Sequence, residues 1–90
     1  MNNLEEYAKK LGFKKPGKMK HDKYIITLSD SDEYARYYTI LDHTEDLDLT
    51  DASSMSSEFA NVLVYKNDEY KVTLNANFTD NYYTAVIEEI

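Results

Sequence analysis

From residue 70 to residue 78 the chain alternates without a break. Tyr70, Val72, Leu74, Ala76 and Phe78 fall on one side, and Lys71, Thr73, Asn75 and Asn77 on the other. A period of two belongs to a β-strand, whose successive side chains point to opposite faces. At about 3.6 residues per turn a helix would scatter the same apolar residues around its whole circumference. An apolar row backed by a polar row also requires a sheet with one buried and one wet face, which is the habit of antiparallel sheets.

The flanking segments extend that sheet. After the strand at 69–77 come the turn residues Thr79, Asp80 and Asn81, then a strand at 82–89 with Tyr83, Ala85 and Ile87 on one face and Tyr82, Thr84 and Val86 on the other. Before it, Asn67 and Asp68 form a tight-turn pair that follows a strand at 59–66. Such short connections make consecutive strands antiparallel, so 59–89 is a three-stranded meander. Residues 23–29 and 33–41 are rich in Tyr, Ile and Thr and are separated by the polar turn Ser29-Asp30-Ser31-Asp32. Their β-branched and aromatic content predicts a hairpin.

One helix is expected, at 4–11. Leu4, Tyr7, Ala8 and Leu11 make an apolar stripe, and Asn3 with Glu6 forms a capping-box pattern. Lys9 and Lys10 suit the negative end of the helix dipole, Gly12 suits a left-handed C-terminal cap, and Phe13 is its apolar partner. Residues 14–23 form a basic connector with a Pro16-Gly17 turn, and 42–57 form a long acidic and serine-rich loop. The expected fold is α+β: one N-terminal helix packed on an antiparallel sheet of about five strands, a hairpin plus a meander. The 90 residues allow one core and hence a single domain, 1–90.

Several kinds of chemistry find no residues here. The chain has no Cys, which excludes disulfides, thiolate zinc sites and thiol catalysis. His21 and His43 are its two histidines, both in expected solvated loops, and no Gly-x-Ser-x-Gly elbow is present. With Gly12 and Gly17 alone there is no glycine-rich phosphate loop. An EF-hand counted from Asp30 or Asp46 lacks the Gly at its sixth position and the Glu at its twelfth. The expectation is a non-enzymatic protein without cofactor or metal site. The apolar runs are too short for a membrane span and the N-terminal residues do not resemble a secretory signal, so a cytoplasmic location is expected.

Charge is divided along the chain. Residues 1–29 carry seven lysines against Glu5, Glu6 and Asp22, a net of +4, whereas residues 30–90 carry a net of -11. Between Asp30 and Glu58 alone nine carboxylates face one arginine, a net of -8. In an extended segment, residues two apart on one side lie about 6.5–7 Å from each other. That is comparable with the phosphate spacing along a DNA strand, where the axial rise is about 3.4 Å per phosphate. An acidic stripe on a sheet therefore suits a protein groove built for nucleic acid. Asp30, Asp32, Glu33, Asp42, Glu45, Asp46, Asp48 and Asp51 are the candidate electrostatic contacts, with Tyr34, Tyr37 and Tyr38 as candidate aromatic anchors. An acidic surface also keeps a small protein in solution, and nine tyrosines also suit a thinly covered sheet. The lysines of 14–23 could neutralise the protein's own acidic loop.

Small size, acidity, absence of Cys and a helix beside a Tyr-rich antiparallel sheet give a profile that resembles phage-encoded inhibitors of the anti-CRISPR and DNA-mimic type. The resemblance spans the chain as a profile and carries over no family's residues. It implies an inhibitor that occupies the nucleic-acid or PAM-reading cleft of a nuclease or CRISPR effector, where Arg and Lys line a positive channel. No direct DNA binding and no membrane contact are expected. An immunity protein or antitoxin against a basic toxin is the alternative within inhibitors, and an assembly protein that packs through a sheet edge is the alternative outside them.

Overall fold

A computed structural model of the chain describes residues 3–50 and 60–90. Asp51, Glu58, Phe59 and the serines of the acidic loop lie outside the described residues. Helix α1 spans Asn3–Leu11 and buries Leu4, Ala8 and Leu11. It ends as its residues predict. Gly12 takes a φ of 109°, the Gly12 N–H donates to the Lys9 carbonyl at 3.1 Å, and the Phe13 N–H donates to the Ala8 carbonyl at 3.0 Å. These paired bonds satisfy helix-end carbonyls, and Phe13 folds back into the core.

The basic connector contains a strand. β1 (Lys18–Lys20) pairs antiparallel with β2 (Lys23–Leu28), with Lys20 opposite Lys23. The two residues between them, His21 and Asp22, have φ of 51° and 64°. Two left-handed residues in succession make the turn whose twist matches paired strands. No glycine marks it, which is why it reads as a plain connector in the sequence.

The segment expected as the second strand, 33–41, is instead part of helix α2 (Ser31–Asp42). Asp30 caps it, and its carboxylate accepts from the Glu33 N–H at 2.9 Å. As a strand, this segment would mix Arg36 with Tyr34 and Tyr38 on one face, and Glu33 with Tyr37 and Leu41 on the other. As a helix it turns Tyr34, Tyr37 and Leu41 to one buried side. That burial outweighs the β-propensity of its Tyr, Thr and Ile residues, which is a weak prior. The hairpin partner expected for β2 is therefore absent, and β2 pairs with the last strand of the chain.

β3 (Asp48–Leu49), β4 (Ala60–Lys66), β5 (Tyr70–Asn77) and β6 (Tyr82–Glu89) complete the sheet. The sheet has six strands in the order β1-β2-β6-β5-β4-β3, and every neighbouring pair is antiparallel. The expected meander is present as β4-β5-β6, with Lys66 opposite Lys71 and Asn77 opposite Tyr82. Both helices contribute to one core with Tyr24, Ile26, Val72, Leu74, Tyr83 and Ile87, so they cover a single face of the sheet. The architecture is α+β, and the described residues form two helices where one was expected and six strands where about five were. No helix among the described residues is long and apolar enough to cross a membrane.

Gly17 lies close against β2. A Cβ there would stand 2.7 Å from the Ile25 carbonyl oxygen, 2.8 Å from the Tyr24 ring and 2.9 Å from Ile26. Its N–H also donates to the Tyr24 hydroxyl at 2.8 Å. Because backbone stands in the way, Gly17→Ala must push the 14–17 segment off the sheet. A loss of about 2–3 kcal/mol is expected from overpacking and the displaced hydrogen bond. Chemical denaturation checks it, and a loss below about 0.5 kcal/mol would show that the segment moves freely.

Candidate functional site

The expected acidic stripe falls into two groups. A helix rises about 1.5 Å per residue, so the start and end of α2 lie about 16 Å apart. At the start, Asp30 is the helix cap, Asp32 lies exposed in the first turn, and the Glu33 carboxylate accepts from the Ser29 N–H at 2.8 Å. Lys15 Nζ stands 3.1 Å from the same Glu33 oxygen and also bonds the Ser29 hydroxyl. Burial works against the Glu33 charge, but the Ser29 N–H and Lys15 outweigh it and hold the carboxyl below its usual range. Two of these three acids thus serve the helix start, and one basic-connector lysine does neutralise an acid of its own chain. The comparison of acid spacing with DNA phosphates required an extended segment, and the helix removes it.

The three tyrosines are not three anchors. Tyr34 and Tyr37 are buried. The Tyr37 ring stacks on Phe13 with centroids 4.4 Å apart, and its hydroxyl accepts from the Lys14 N–H at 3.4 Å. The Tyr34 hydroxyl accepts from Asn61 Nδ2 at 3.2 Å. Tyr38 alone reaches the surface, 37% exposed, with its ring edge-on to Tyr34.

At the far end of α2 the acids gather. Asp42 is exposed, and one of its oxygens accepts from the buried Tyr65 hydroxyl at 2.6 Å. Burial, and then the bond to Asp42 and its charge, push the Tyr65 phenol well above its ordinary range. Burial likewise raises Tyr34. A tyrosine that stays protonated in the fold while its unfolded counterpart ionises makes stability fall as pH rises. The fall begins near pH 10 and is at most about 1.4 kcal/mol per pH unit for each such group. An alkaline unfolding series should show that slope, and Tyr65→Phe should flatten it while costing about 1 kcal/mol at pH 7. An unchanged alkaline slope in the variant would show that Tyr65 ionises inside the fold.

Glu45, Asp46 and Asp48 are exposed beyond the end of α2. In the β3–β4 pairing Asp48 lies opposite Lys66, the last residue before the β4–β5 turn. That register brings the turn acids Asp68 and Glu69 alongside, and Asp46, Asp48, Asn67, Asp68 and Glu69 line a groove of about 310 Å³. A second groove, of about 570 Å³, lies against α1 and is lined by Glu6, Tyr7, Lys10, Asp46, Glu69 and Tyr70, among others. The turn is held by Asn67, whose side-chain oxygen accepts from the N–H groups of Glu69 and Tyr70 at 2.8 and 2.7 Å. Asp68, Glu69 and Glu6 are far from Asp46 in sequence, so only the long-range strand register could reveal them. The site thus comprises Asp46 and Asp48 from the expected set, joined by Asp68, Glu69 and Glu6; Asp42 is engaged by the Tyr65 hydroxyl, Glu45 is exposed but lines neither groove, and Asp51 is outside the described residues.

The opposite charge adjoins the acids, since Lys66 faces Asp48 across the β3–β4 pair. Cross-strand register puts Lys23, Glu88, Lys71 and Lys66 in one row on the sheet face away from the helices, with Lys20 beside Lys23. Lysines from both halves of the chain therefore share that face. Among the described residues no group of three or more His, Asp or Glu is arranged to hold a metal ion. The acids at the end of α2 form a spread, negatively charged surface. No family model, curated protein or solved structure matches the chain.

Proposed function

We propose that this chain is a non-enzymatic inhibitor that binds the basic, nucleic-acid-binding cleft of a nuclease or CRISPR effector. Its contact surface is the acidic end where α2, β3 and the β4–β5 turn meet. The observation that carries the proposal is the gathering of Asp46, Asp48, Asp68 and Glu69 around one groove by strand pairing. Asp48 sits on β3, and Glu69 on the turn held by Asn67, so presenting these charges requires little ordering on binding. A fixed patch of one sign steers a cationic partner and makes association fast and salt-sensitive. A nuclease toxin held by its antitoxin is one form of the same function, and rescue of cells from such a toxin identifies it.

Assembly through a sheet edge is less well supported. Edge strand β1 reads Lys-Met-Lys with all three residues exposed, and lysines at an edge oppose pairing with another chain. The test is capture from a cell lysate on the immobilised protein, washed at low and high salt. Recovery of a nucleic-acid enzyme that is released by salt and displaced by DNA supports the proposal. Recovery of the protein itself, or of a partner indifferent to salt and DNA, overturns it.

A further inference from the structure

We infer that the groove between α1 and the β4–β5 turn seats the guanidinium of an arginine side chain from the partner. The inference rests on the proposed function and names the chemistry of its central contact. Tyr7 of α1 and Tyr70 of β5 stack with ring centroids 3.8 Å apart and planes 12° from parallel, and both line the groove. Asn67 Nδ2 donates to the Tyr7 hydroxyl at 3.2 Å, which ties the ring to the turn that carries Glu69. The carboxylates of Glu6, Asp46 and Glu69 line the same space, opposed by Lys10 alone among the lining residues.

Aromatic rings beside carboxylates are what a planar, delocalised cation requires. Tyr7 and Tyr70 cover one face of each other, so the cation lies on an outer ring face or edge while its N–H fork reaches the oxygens. A lysine ammonium is a compact point charge and uses the rings less well. At about 570 Å³ the groove has room for the guanidinium and its aliphatic stem. Burial, together with Tyr70, Asp46 and Glu69, raises the Tyr7 phenol above its ordinary range against the Asn67 hydrogen bond.

The test is an amide NMR titration of the full chain with Nα-acetylarginine amide, repeated with Nα-acetyllysine amide. Saturable shifts confined to Tyr7, Asn67, Glu69 and Tyr70 are expected, with the arginine compound binding about two- to fivefold more tightly. The exposed pair of changes Asp46→Asn and Glu69→Gln should weaken the arginine compound by about fivefold or more while the folded spectrum persists. Shifts that do not saturate, or that spread equally to Asp32 and Asp80, overturn the inference. Equal binding of the lysine compound overturns it too, because charge alone would then explain the contact. No partner takes part in this titration. A failed titration beside a successful lysate capture therefore removes only the arginine seat, and the converse removes only the proposed partner class.

Discussion

Tyr37→Ala is expected to destabilise the domain by about 3–5 kcal/mol, the usual cost of removing a large aromatic side chain from a core. Tyr38→Ala, one position further on, should cost under about 1 kcal/mol. The contrast follows from the helix. Tyr37 is buried against Phe13 and accepts from the Lys14 N–H, so its removal opens a cavity and strips a backbone donor. Tyr38 points partly to solvent. Small domains have a total stability of about 5–15 kcal/mol, so the first variant should unfold far earlier in urea than the second. Thermal unfolding should show the same order, at about 4–8 °C for each kcal/mol in a domain of this size. Equal losses would mean that 33–41 does not present these residues as a helix does.

Reversing Asp46, Asp48 and Glu69 to lysine together should weaken binding to the captured partner by at least about 100-fold, near 3 kcal/mol. All three side chains are exposed. Three lysines repel one another as three carboxylates do, and Asp48→Lys sets a like charge opposite Lys66. A stability loss of about 0.5–1 kcal/mol is therefore expected, with the variant still folded. The matching change at Asp30 and Glu33 should do the opposite. It removes a helix cap and an ion pair with Lys15, so it should destabilise α2 while leaving the acidic end of the molecule in place. Full inhibition by a folded Asp46, Asp48 and Glu69 variant would assign those acids to solvation alone.

Much of the fold is legible from local pattern. The alternation appears in the structure over 70–77, with Val72, Leu74 and Ala76 buried, while Phe78 falls in the following turn and is exposed. The Leu4, Ala8 and Leu11 stripe and the Gly12-Phe13 cap appear as read, because a helix end is decided by neighbours within a few residues. α2 was equally local in its signals. Asp30 with Glu33 and the spacing of Tyr34, Tyr37 and Leu41 match the pattern that marks α1, and intrinsic strand preference obscured them. A strand at 33–41 exposes some of Tyr34, Tyr37 and Tyr38 by alternation and draws the acids as one extended stripe, whereas the helix buries both Tyr34 and Tyr37.

The sequence by itself determined that residues 60–89 form an antiparallel meander, that 4–11 form a capped helix, and that charge is divided between the two ends of the chain. These follow from periodicity, turn chemistry and composition, all of which act between residues close in sequence. Only the tertiary structure decided that β2 would pair with β6, that 33–41 would pack as a helix on the sheet, and that Asp68 and Glu69 would join Asp46 and Asp48. Each of those outcomes depends on which apolar face covers which. Burying Tyr34, Tyr37 and Leu41 against β5 and β6 needs partners about 35–50 residues away in the chain. No local pattern records that free energy, because it exists only when the two surfaces meet.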